Sequence, residues 1–184
     1  MPQSSFYDAG LLRQIATNLF YGWGYNFYRA ENMLRADDQI VRTKAAWLLG
    51  TAMTSVSHAE TEYRREFLPP PSRSKPFPDP EAVAGAQKLE RLSREIGALE
   101  GFIHQLPVPE NDRMTQRYRL EAPTLKSLID HDLQLVGQCE TLRAMVHEQK
   151  GPAILNMADE IETGLNAIRE TLRVREALLH SPAS

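Results

Sequence analysis

His58 and Glu62 stand four residues apart in one long apolar-periodic segment, and His131 and Asp132 stand side by side in another. An imidazole and a carboxylate on adjacent helical turns present a nitrogen and an oxygen together, as a helical metal site needs. Trp47, Thr51, Thr54, His58 and Glu62 share one stripe at steps of three, four and seven, away from the main apolar face of their segment. Two readings of that stripe stand: the polar wall of a pocket, or a solvated face carrying a His and Glu pair. Asp132 occupies an otherwise apolar stripe, where a carboxylate is costly to bury unless it is paired or hydrogen-bonded. Arg175 is its candidate partner, because a hairpin turning at Gly151 returns it to within a few turns of Asp132. In the alternative, Asp132 orients a histidine.

Helices must position these groups, because apolar residues recur at three and four throughout the chain and period-two alternation is almost absent. The first helix carries Leu12, Ile15, Leu19, Trp23, Phe27, Ala30 and Leu34 and runs through Gly22 and Gly24, although Tyr21, Trp23, Tyr25 and Phe27 also alternate as in a strand. Asp37 is the expected N-cap of the second, whose main face holds Val41, Ala45, Leu48, Ala52, Val56, Ala59, Tyr63 and Phe67. Residues 69–80 hold six of the twelve prolines, which suits a stiff crossover. The third helix opens on Asp79 and Pro80 and repeats Leu89, Leu92, Ile96, Leu99, Ile103 and Leu106 as a bundle seam. After an irregular connection over 107–122 with room for one short helix, Pro123 starts the fourth, with Leu125, Leu128, Asp132, Leu135, Cys139, Leu142 and Val146 on its stripe. Gly151 ends that helix and Pro152 starts the fifth, which shows Ile154, Ala158, Ile161, Leu165, Ile168, Leu172 and Leu179. The expected fold is all-α, an antiparallel four-helix bundle with a proline-rich crossover and one additional C-terminal helix.

A chain of 184 residues with 42% hydrophobic and 24% charged residues is long enough to bury a core, and one domain over 1–184 is the expectation. A formal charge of -3 argues against nucleic-acid binding, which usually needs a basic excess. No apolar stretch approaches the roughly 20 residues of a membrane span, and the first residues lack the basic and apolar regions of a secretory leader, so a cytoplasmic address is expected. A single cysteine, Cys139, leaves no internal disulfide and no thiolate-based structural zinc site, and its stripe position reads as core packing. Any metal must therefore rest on His, Asp or Glu. No Glu-x-x-His pair appears, which argues against a carboxylate-bridged di-iron bundle.

Tyr25-Asn26-Phe27 with Asn32 and Leu34, then Ser57-His58-Ala59-Glu60, the proline-rich crossover, and His131 through Val136-Gly137-Gln138 follow one another in an order that resembles the DinB-like (DinB/YfiT) metal-binding bundles across residues 20–145. The resemblance implies a four-helix bundle, usually a homodimer, that binds a divalent metal (Zn, Ni or Fe) through three histidines. Some members transfer or isomerise substrates with a low-molecular-weight thiol as cosubstrate. Carried over residue by residue, His58 and His131 match two ligands, while Leu135 stands where the third histidine belongs. Glu62 or Asp132 would then replace the missing ligand, or the site is dead. Tyr25, Trp47, Thr51, Thr54, Asp132 and Leu135 complete the expected pocket.

Two functions from different classes follow. The first is a divalent-metal-dependent, thiol-using transferase or isomerase with an altered or degenerate site, in which the ion acts as a Lewis acid. The second is a non-catalytic dimeric helical scaffold or interaction protein. A binder of a small apolar or aromatic ligand between helices, using Trp23, Trp47 and tyrosines, is a third and thinner reading.

Overall fold

Every element in the computed structural model of this chain is helical, and the model describes residues 5–22, 34–73, 76–106 and 122–180. A 3-10 turn at Ser5–Tyr7 leads into α1 (Ala9–Gly22), followed by α2 (Leu34–Phe67), α3 (Pro80–Gln105), α4 (Ala122–Val146), α5 (Gly151–Asn156) and α6 (Ala158–His180). Six helices pack together, and no strand occurs among the described residues. None of the described helices is long and apolar enough to cross a membrane.

The start of α3 forms as its sequence dictates. Asp79 is extended (φ -65, ψ 123), its carboxylate accepts from the Glu81 amide, and Pro80 opens the helix where an amide hydrogen would go unused. Leu89, Leu92, Ile96, Leu99 and Ile103 are all buried, while Leu106 packs at the edge of the core. On α2 the expected face from Val41 to Tyr63 is buried, but Phe67 is partly exposed and stacks on Tyr63 with ring centroids 4.6 Å apart.

Other boundaries differ from the sequence reading. The first helix is described from Ala9 to Gly22, and its expected continuation through Trp23, Tyr25 and Phe27 lies outside the described residues, as does the connection expected to carry a short helix. The second begins at Leu34, so Asp37 lies inside it rather than capping it. The reversal after α4 is made by Glu148, whose φ of 56 is left-handed, and Gly151 is instead the first residue of α5. The last helix is broken at Met157, whose amide is shared between the Ala153 and Ile154 carbonyls at 3.3 and 3.1 Å, a tightened turn that separates α5 from α6.

Contacts along the helices fix their directions and levels. Gly50 approaches Glu100, Ser57 meets Ser93 and Arg64 meets Glu90, so α2 and α3 are antiparallel. Lys88 pairs with Asp159, Arg91 with Glu162 and Glu95 with Arg169, so α3 and α6 run side by side in the same direction. Neighbouring helices are therefore not all antiparallel. The helix α4 packs against α1, α2 and α6 together, which buries it on most sides: Asp132, Leu133, Leu135, Val136, Gly137, Gln138 and Cys139 are all buried.

Candidate functional site

The polar stripe of α2 faces largely outward. Trp47 is 56% exposed, and Thr54 and His58 are exposed, while Thr51 and Glu62 are half-buried. The Thr51 hydroxyl donates to the Trp47 carbonyl and the Thr54 hydroxyl to the Gly50 carbonyl, both at 2.9 Å. Ser55 and Thr61 repeat the pattern on Thr51 and Ser57 at 3.0 Å. Each hydroxyl proton is thus committed to its own helix, an ordinary solution for Ser and Thr in helix interiors. Glu62 lies 3.7 Å from Arg65, one turn along the same helix.

On α4 the polar groups are likewise engaged. Asp132 Oδ1 accepts from Arg175 Nε at 2.5 Å, with both side chains almost wholly buried, and this is the partner that its stripe position demanded. His131 is half-buried, and its Nδ1 lies 2.6 Å from the Ser127 carbonyl. A carbonyl only accepts, so Nδ1 carries the proton and Nε2 is left as an acceptor, the atom a metal would take. Leu135 is fully buried in the core. Tyr25 lies outside the described residues.

The levels of the helices separate the two histidines. Asp132 stands at Arg175, which is six residues beyond Arg169; Arg169 pairs with Glu95, and the same rise along α3 leads to the neighbourhood of Glu100, against Gly50 on α2. His131 therefore stands near the level of Gly50. His58 lies eight residues further along α2, about 12 Å at the helical rise, and on an exposed face. Among the described residues no three His, Cys, Asp or Glu side chains gather where they would hold a metal ion.

A groove that the sequence reading missed runs between α2 and α3, with a volume of about 550 Å³ and Met53, Ser57, Glu90, Ser93, Arg94 and Gly97 along it. Its centre is the Ser57 and Ser93 hydroxyl pair, 2.6 Å apart. A serine nucleophile needs a base to take its proton. The carboxylates beside this pair are instead bound to arginines, Glu60 to Arg64, and Glu90 to both Arg64 and Arg94. Two serines on facing helices separated by a long crossover carry no shared signal in the sequence.

Cys139 is fully buried, and desolvation followed by the nearby Glu140 charge pushes its thiol far above the ordinary range. Native protein is expected to resist maleimide at neutral pH and to react fully in denaturant; fast labelling of the folded chain would contradict its place in the core. The Val136-Gly137-Gln138 step serves packing as well. Gly137 lets α1 cross close by, and the Gln138 Nε2 donates to the Phe6 carbonyl at 3.1 Å.

No family model, no curated protein and no solved structure matches this chain.

Proposed function

We propose that this chain is a DinB-like helical bundle with a degenerate metal site, acting as a non-catalytic dimeric scaffold or interaction protein. The observation that carries this reading is that no three His, Cys, Asp or Glu side chains gather to hold a metal among the described residues, with His58 exposed and His131 half-buried on another helix. Catalytic zinc normally keeps three protein ligands around one open position. Support also comes from the remaining candidates, since Asp132 is held by Arg175, Glu62 lies beside Arg65, and Leu135 offers no donor. The exposed Trp47, with the exposed Thr54 on the same side of α2, suits contact with a second copy.

A metal-dependent, thiol-using reading is favoured by one feature, the Nε2 of His131 left as an acceptor by the Ser127 contact. Metal analysis separates the two. Untagged protein purified without chelator is expected to hold only trace metal, unchanged in His58→Ala and His131→Ala, with melting temperatures also unchanged. Near-stoichiometric zinc, nickel or iron lost in both variants would overturn the scaffold reading. Sedimentation velocity tests the dimer in the same preparations.

A further inference from the structure

Charges are distributed unevenly along α2. Five charged side chains fall in residues 34–44 and five in 60–67, whereas no Asp, Glu, Lys or Arg occurs from Ala45 to Ala59. That middle stretch is not wholly interior, since Trp47, Thr54, Ser57 and His58 are exposed. A helix face in water ordinarily carries charge, and one that lacks it has the composition of a buried contact, poor in charge and holding an aromatic ring. Its hydroxyls are already engaged: Thr51 and Thr54 donate to carbonyls one turn back, and Ser57 and Ser93 bond to each other. The face continues onto α3. Beyond Glu95 that helix carries one carboxylate, Glu100, laid against Gly50, while Ala98 and Phe102 are exposed.

Charge limits what can cover such a face. A surface rich in Lys or Glu would be stripped of water against it with nothing to pair to, which is unfavourable. A second copy offers the matching uncharged face, and the ends match in sign. Gly50 faces Glu100, Met53 faces Gly97 and Ser57 faces Ser93, so α2 and α3 are level at these steps. A two-fold axis at the level of Met53 and Gly97 sets the two copies of α2 antiparallel. Lys44 and Glu62 each stand nine residues from Met53, and five whole turns separate them, so they share one flank of α2. Lys44 of each copy then meets Glu62 of the other. On α3, Glu90 and His104 each stand seven residues from Gly97 and meet across the axis in the same way. A parallel pairing would instead set Lys44 against Lys44.

We infer that the uncharged face of α2 and α3 is a self-complementary contact, at which two copies of this chain pair antiparallel about the level of Met53 and Gly97, with Lys44 and Glu62 as reciprocal charges at its ends. This rests on the dimeric scaffold reading and gives that dimer its face and its polarity. The uncharged stretch of α2 is about 22 Å long and the two helices together span about 20 Å, near the low end of specific interfaces. The dimer is therefore reversible, forming in the micromolar range.

Sedimentation velocity of the full chain over a series of concentrations tests the contact. Thr54→Arg, which puts a charge in the middle of the face, is expected to weaken dimerisation at least about a hundredfold, while Tyr21→Arg on the exposed side of α1 leaves it unchanged. Ala98→Arg carries the same comparison on α3 where circular dichroism shows that Thr54→Arg disturbs folding. Lys44→Glu and Glu62→Lys should each weaken self-association about tenfold, because each sets like charges at both ends of the contact. An equimolar mixture of those two variants should recover the wild-type affinity as a heterodimer. A wild-type dimer indifferent to Thr54→Arg and Ala98→Arg, or charge reversals that mixing does not rescue, would overturn this inference and leave the dimeric reading standing. A wild-type chain that stays monomeric at every concentration would overturn both.

Discussion

Arg175→Met is expected to destabilise the fold by about 3–5 kcal/mol, because it leaves the Asp132 carboxylate buried without its guanidinium. The two side chains are 3% and 7% exposed, so water cannot readily take over the lost contact. Asp132→Leu alone removes the carboxylate from beside the buried Arg175 and should destabilise as well. The double variant, Asp132→Leu with Arg175→Met, should recover most of the loss, since well-packed apolar residues often replace a buried pair at no net cost. Urea unfolding of all four proteins gives the coupling energy directly. A single-variant loss below about 1 kcal/mol would mean that the pair is worth no more than a surface ion pair. That result would also weaken the case that Asp132 is committed to structure, and would return it to the set of candidate ligands.

The second large effect concerns the position where the family resemblance calls for a third histidine. Leu135→His writes that residue back, and if only one ligand were missing it should restore a metal centre. The structure points the other way, because Leu135 is fully buried in the core and His58 is exposed at another level. The substitution should therefore cost about 3–5 kcal/mol, from lost apolar packing together with an imidazole placed among leucines and isoleucines. Added zinc or nickel should not raise its melting temperature. Stoichiometric metal that stabilises the Leu135→His protein, and that is lost again when His58→Ala is combined with it, would sink this reading, since it would require both side chains to reach one ion.

Much of the helical plan was legible in the sequence. The leucine and isoleucine seam of α3 and its Asp79-Pro80 start appear as expected, and the stripe position of Asp132 led directly to Arg175. Boundaries were less legible where the signal residue has two uses. Asp37 is a good N-cap yet lies within α2, where tertiary packing overrides its local preference, and Gly151 can end a helix or begin one; the reversal fell instead to Glu148. The burial of α4 on most sides was hidden because two of its inward contacts are made by Gly137 and Gln138, which periodicity does not count as apolar. The candidate site was legible only as far as which residues share a helix face. Spacing along one helix says nothing about its axial offset from another, and that offset is what parts His58 from His131.

The ion pairs between α3 and α6 change polarity partway along. Lys88 and Arg91 are cationic opposite Asp159 and Glu162, whereas Glu95 is anionic opposite Arg169. Being exposed, each is worth little alone. Their order nevertheless works as a key in a lock, because sliding α6 along α3 until Glu162 met Glu95 would set carboxylate against carboxylate. That slip would lose the attractions and add a repulsion together, so the order of charges favours the observed alignment of two parallel helices whose leucine-rich faces repeat.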